Sequence, residues 1–105
     1  ALFGPDALAE APVAGLVGAQ AIAGIVDRLL VRPDHVRVVD FKTGHRVPLS
    51  AADAPLAHRR QMAAYAAVLA QVFPGRRIEA ALLYTAGPKF LLLTDKELEG
   101  LLPLD

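Results

Sequence analysis

Apolar and polar positions along the chain alternate in short blocks, and each block end carries a turn signal. Residues 1–9 read as loop or weak helix, interrupted by Gly4-Pro5. The run EAPVAGLV, Glu10 to Val17, reads as a strand, and Pro12 assigns it to a sheet edge or a strand end. Gly18-Ala19 makes a turn. AIAGIVDRLLV, Ala21 to Val31, is apolar and partly β-branched, which predicts a buried strand. Pro33-Asp34 is the next turn and VVDF, within Val36 to Phe41, the next strand. A polar loop from Gly44 to Pro55 leads into an alanine-rich helix from Leu56 to Phe73, stopped by Pro74-Gly75. Strands follow at Ile78–Thr85 and Lys89–Leu93, separated by a Gly87-Pro88 turn. Thr94 or Asp95 then caps a short last helix running through Leu102. The order β-β-β-α-β-β-α predicts an α/β fold, a mixed sheet with the long helix on one face. There is no internal repeat and no low-complexity tract.

Composition narrows the class. A chain of 105 residues, 54 % of them hydrophobic, suits one packed domain and excludes a disordered tail. The formal net charge is zero, whereas free-standing nucleic-acid binders are usually basic. Any action on DNA is therefore expected from a module that a larger partner holds in place. The absence of cysteine excludes disulfides, thiolate metal sites and a cysteine nucleophile. No signal peptide and no membrane-length apolar run is present. The chain begins mid-pattern at Ala1-Leu2-Phe3 and reads as a fragment of a longer protein.

The candidate chemistry lies on the second and third strands. If Pro33 and Asp34 form the tip of a tight hairpin, Val31 faces Val36 and, further out, Asp27 faces Asp40. Opposed side chains in an antiparallel pair lie roughly 5 Å apart at Cβ. Two carboxylates that close, flanked by Val26, Leu29, Val38 and Val39, repel each other and resist desolvation. A divalent cation between them removes the conflict, and hard oxygen donors suit Mg²⁺ or Mn²⁺. Lys42 follows Asp40 by two positions and so shares its face, where it can orient the attacking water or offset phosphate charge. Phe41 points to the other face, toward core, but its backbone carbonyl can reach the metal. A turn longer by a residue or two would shift this register. The plainer alternative is a solvent-facing D-x-K, with Asp27 salt-bridged to Arg28 or Arg37.

GIVDRLLV, VVDFKTG and QMAAYAAVL together resemble the RecB-like nucleases of the PD-(D/E)xK superfamily. Within them, the set is most similar to the C-terminal nuclease domains of AddA-type helicase–nuclease subunits, and PGRRIEAALLYT looks like the strand after their helix. The similarity runs from about Glu10 to Leu102. It implies a restriction-endonuclease-like sheet flanked by helices and a Mg²⁺-dependent exonuclease acting on DNA in bacterial double-strand-break repair. Asp27 and Asp40 would be metal ligands, Phe41 a carbonyl ligand, and Lys42 the catalytic lysine. Gln61 and Tyr65, one helical turn apart, would lie near the DNA; a core aromatic is the competing reading of Tyr65. The implied partners are an AddB-like second subunit and the parent's own helicase domains, in the bacterial cytoplasm. The family also has an upstream helix with a metal-binding His, and none of His35, His45 or His58 occupies that place. The chain is therefore expected to be an N-terminally truncated copy that cuts poorly alone.

Other signals are less specific. Glu10 is a candidate further acidic ligand, or a surface residue. His58-Arg59-Arg60, Arg76-Arg77, His45 and Arg46 are candidate phosphate contacts, against the default of a solvated face. Thr43-Gly44 ends the strand. With no Walker A motif, ATP binding is expected only in the parent's helicase domain. Two rivals to the nuclease remain: a non-catalytic DNA-end or partner-binding module on the same fold, and an unrelated α/β domain with a chance D-x-K.

Overall fold

The computed structural model describes residues 7–44 and 46–101. The elements are β1 (Ala7–Val17), β2 (Gln20–Val31), β3 (His35–Lys42), α1 (Leu56–Val72), β4 (Arg77–Tyr84), β5 (Lys89–Leu93) and α2 (Asp95–Leu98). A short 3₁₀ turn occupies Ala51–Asp53 in the loop before α1. The five strands form one mixed sheet in the order β1-β2-β3-β4-β5. The pairings β1–β2, β2–β3 and β4–β5 are antiparallel, and β3–β4 is parallel. The parallel pair requires a crossover, which α1 supplies.

The predicted order of elements holds, with local corrections. Residues 7–9 belong to β1 rather than to a loop, because they continue the ladder with Arg28, Leu29 and Leu30. Val72 ends α1; Phe73 is its C-cap, with its N–H bonded to the Leu69 carbonyl, and Gly75 takes φ 82°. The strand expected at Ile78–Thr85 begins and ends one residue earlier. The last helix is a single turn, capped by Thr94 through a reciprocal box with Glu97. Gly100 then adopts φ 73°, and Leu102 lies outside the described residues.

One face of the sheet packs on α1. Its core joins Val13, Val26, Leu29, Val36, Val38, Ala80, Leu82 and Tyr84 to Met62, Tyr65, Val68 and Leu69 of the helix. Missing side chains let the helix settle onto β1 and β2. A Cβ built at Gly15 would lie 3.0 Å from Val68 Cγ1, and one at Gly24 would overlap the Tyr65 hydroxyl. Because the helix covers one face only, β2 is not buried along its length. Ala21, Ala23 and Ile25 are exposed, contrary to the expectation of a buried strand.

The inward-facing set of β2 is Ile22 and Val26, then Leu29 and Val31, so the period of two slips between Val26 and Leu29. The slip falls at Asp27, where the β1–β2 ladder passes from Ala9↔Arg28 to Ala11↔Val26. On β1 the skipped residue is Glu10, which has φ 50°. That conformation costs a non-glycine residue about 1–2 kcal/mol. Glu10 is the register neighbour of Asp27, so this backbone irregularity sits directly beside the Asp27 position.

Candidate active site

The hairpin register is the one the tight turn predicts. Val31 pairs with Val36, Leu30 with Arg37, Leu29 with Val38 and Arg28 with Val39. One step further out stand Asp27 and Asp40. The backbone ladder stops before them, and the Asp27 carboxylate takes its place: Oδ2 accepts the Phe41 N–H at 2.7 Å. The side chain of Asp27 is thereby fixed by the strand that carries Asp40. Arg37 binds Glu79 on the neighbouring strand through two guanidinium hydrogens, at 3.1 and 3.0 Å. Arg28 donates to the Asp27 carbonyl at 2.8 Å and lies 5.3 Å above the Phe41 ring.

Asp40 is the one buried charged residue among those described, at 8 % exposure. Lys42, two residues on along the same face, sets its ammonium 2.6 Å from Asp40 Oδ2 and donates to Gln61 Oε1 at 3.1 Å. Burial raises the Asp40 pKa above the usual 3.8, hydrogen bonding to Asp27 adds to the rise, and Lys42 opposes it. The site therefore holds a carboxyl that resists ionisation beside a second carboxyl and a single cation. Among the described residues no group of three or more His, Cys, Asp or Glu side chains gathers around a common point. Glu10 is exposed and does not complete such a group.

The structure separates the other candidates. Gln61 stands beside Lys42. Tyr65, one turn along α1, is buried at 6 % exposure and closes over β2 at Gly24. The Phe41 side chain is half-buried under Arg28 rather than part of the core cluster. Arg59 donates to the Ala54 carbonyl at 2.9 Å, and Arg76 to the Arg32 carbonyl at the hairpin tip, at 3.2 Å. Arg77 pairs with Glu79. Arg76 and Arg77 thus sit at the end of the sheet away from Lys42, where they brace the fold. His35 is taken by Asp34, and His45 lies outside the described residues.

Sequence reasoning missed Tyr84 and the pairing it makes. Lys42 and Tyr84 are register partners at the carboxyl ends of the parallel strands β3 and β4. In α/β sheets that edge is where ligands bind, and this was the available signal. The Tyr84 hydroxyl lies 3.0 Å from His58 Nδ1, and both groups line a cavity of about 740 Å³ beside Lys42. Burial holds the His58 pKa below 6.5, and the nearby Lys42 charge lowers it further. A depressed histidine pKa means the unfolded chain binds the proton more tightly. His58 therefore adds stability that is full above about pH 6.5 and declines as pH falls toward its folded-state pKa. Melting temperature should drop more steeply with acid in the wild type than in His58→Gln; parallel curves would contradict this.

No helix of the described residues is long and apolar enough to cross a membrane. Comparison with protein families gives one finding: the sequence profile of the PD-(D/E)XK nuclease superfamily matches residues 3–99. No curated protein and no solved structure matches the chain.

Proposed function

Because that match takes in nearly the whole chain, the protein belongs to the PD-(D/E)XK nuclease superfamily, and we propose that it is a metal-dependent deoxyribonuclease module with Asp27, Asp40 and Lys42 as its working residues. The observation that carries this reading is the convergence of two carboxylates and one ammonium at the break in the β2–β3 ladder. The donor chemistry fits a hard divalent cation. Mg²⁺ is commonly held by one or two protein carboxylates, with waters and substrate phosphate completing its shell. Asp27 and Asp40 would hold it, with the Phe41 carbonyl as a further oxygen donor; Mn²⁺ suits the same donors. Such an ion polarises the scissile phosphate and lowers the pKa of a bound water.

The chain's own groups do the positioning. The Phe41 amide fixes Asp27, so that one carboxylate is in place before substrate arrives. The Lys42 ammonium, held between Asp40 and Gln61, can orient the attacking water and offset charge on the phosphate as the P–O bond breaks. Tyr65 is assigned to packing, and Gln61 to holding Lys42 near the DNA. Lys42→Ala is expected to lower turnover by about 10²–10³-fold, the usual size for one lost electrostatic donor. Metal affinity should survive, since a charged lysine donates no lone pair. Equal losses of metal binding and turnover would argue against this division of roles.

We further read the module as part of an AddA-like bacterial, cytoplasmic helicase–nuclease with exonuclease activity, assembled with an AddB-like subunit and helicase domains that bind ATP. Its zero net charge supports this, since a chain without excess cations gains little non-specific DNA affinity. A non-catalytic DNA-end or partner-binding role is the second reading. The absence of a third acidic or histidine ligand among the described residues favours it. Cleavage of DNA in Mg²⁺ by the full helicase–nuclease, lost in Lys42→Ala, separates the two.

A further inference from the structure

We propose that Arg28 is a positioning residue for the metal-binding pair, holding Asp27 and Phe41 together across the point where the β2–β3 ladder ends. This rests on the nuclease reading above, in which the Asp27 carboxylate and the Phe41 carbonyl are oxygen donors to one cation.

Asp27 lacks the support that its neighbours have. The β1–β2 pairing passes over it, from Ala9↔Arg28 to Ala11↔Val26, and the β2–β3 pairing ends at Arg28↔Val39. Among the described residues, Asp27 is the one position of β2 with a register partner on neither side. Beside it on β1, Glu10 has the left-handed φ of 50°. A carboxylate on an unpaired peptide has no fixed place unless other contacts supply one.

Two contacts do so. Asp27 Oδ2 accepts the Phe41 N–H at 2.7 Å, and Arg28 Nη1 donates to the Asp27 carbonyl at 2.8 Å. The same guanidinium carbon lies 5.3 Å from the centroid of the Phe41 ring. Arg28 therefore touches both residues of the pair. Phe41 alternates with Asp40 and Lys42 along β3, so its ring and Arg28 lie on the sheet face away from those two. From there Arg28 acts through Asp27 and Phe41 and does not meet the cation itself. A carboxylate oxygen accepts more than one bond, so the Phe41 N–H can stay in place when a cation arrives.

The arrangement needs arginine rather than any cation. A planar guanidinium can aim an edge at a carbonyl while its face rests on a ring; an ammonium carries its donors at one end and cannot do both. Arg28→Lys keeps the charge, so it separates the brace from the simple presence of a positive group.

The test measures Mn²⁺ affinity by electron paramagnetic resonance and, without metal, hydrogen exchange at single amides. Both are read in wild type, Arg28→Lys, Phe41→Leu and Phe41→Tyr, with folding checked by melting. Arg28→Lys and Phe41→Leu should each weaken Mn²⁺ binding about three- to tenfold, the size of one cation–π contact. Each should speed exchange at the Phe41 amide by a similar factor, while the amides of Val36 to Val38, inside the ladder, keep their rates. Phe41→Tyr retains the ring and should bind as wild type does. The double variant should be no weaker than either single one, because both remove the same contact. Unchanged Mn²⁺ affinity in a folded Arg28→Lys protein, or faster exchange spread evenly along β3, would overturn the proposal and leave the nuclease reading standing. A wild type with no Mn²⁺ site at all would overturn that reading and the proposal with it.

Discussion

In the full helicase–nuclease proposed above, Asp40→Ala should reduce DNA cleavage by at least ~10³-fold while DNA binding and the fold are retained. On the proposed reading, Asp40 would hold a cation that acts while the phosphodiester bond breaks, and would add nothing to affinity for the duplex. Removing a transition-state interaction lowers turnover without a matching loss of binding. The fold survives because Asp40 is a liability without metal. Its pKa is raised by burial and by Asp27, so the folded protein binds this proton more tightly than the unfolded chain. The resulting penalty is absent at low pH, grows as pH climbs from 3.8 through the raised folded value, and is complete above it. At neutral pH in chelator, Asp40→Asn should melt no lower than wild type, and the difference should vanish in acid. A clear drop in melting temperature at neutral pH would mean that the Lys42 ion pair outweighs the carboxylate repulsion.

The second large effect concerns Tyr65. Tyr65→Ala should cost about 3–5 kcal/mol, as for other buried aromatics truncated in a core. Whole domains have only ~5–15 kcal/mol, so this variant would be near the limit of folding. The ring packs over β2 where Gly24 leaves room for it, among Met62, Val68 and Leu69. Tyr65→Phe keeps that ring and should cost well under half as much. Gly24→Ala should destabilise wild type by about 1–3 kcal/mol through overpacking, and much less in a Tyr65→Leu background. Additive losses in that pair would show that the two positions do not meet. A Tyr65→Phe variant that folds normally but binds DNA far more weakly would return Tyr65 to the DNA surface.

Legibility followed the range of the interaction. The hairpin pairing could be read because Pro33-Asp34 fixes a tight turn and the partners follow by counting outward. That placed Asp40 and Lys42 with Asp27 before any coordinates. The break at Glu10 and Asp27 could not be read. It depends on a left-handed backbone at a glutamate, which no turn signal marks. Gln61 and Tyr65 share a helix face by spacing, yet only depth in the sheet decides which reaches Lys42 and which enters the core. The Arg76-Arg77 pair illustrates the same limit: the charges are obvious in the sequence, and their use on the Arg32 carbonyl and Glu79 is not. The cavity at Tyr84 depends on a parallel pairing between strands far apart in sequence, which α1 alone brings into register.

The central claim is that Asp27 and Asp40 together hold the divalent cation that cuts DNA. It is tested most directly by titrating Mn²⁺, followed by electron paramagnetic resonance, into wild type, Asp27→Asn and Asp40→Asn, with folding of each checked by melting. The account predicts one site in the wild type, competed by Mg²⁺ and lost in either variant. A folded Asp40→Asn protein that binds Mn²⁺ as the wild type does would place the metal elsewhere and contradict the account.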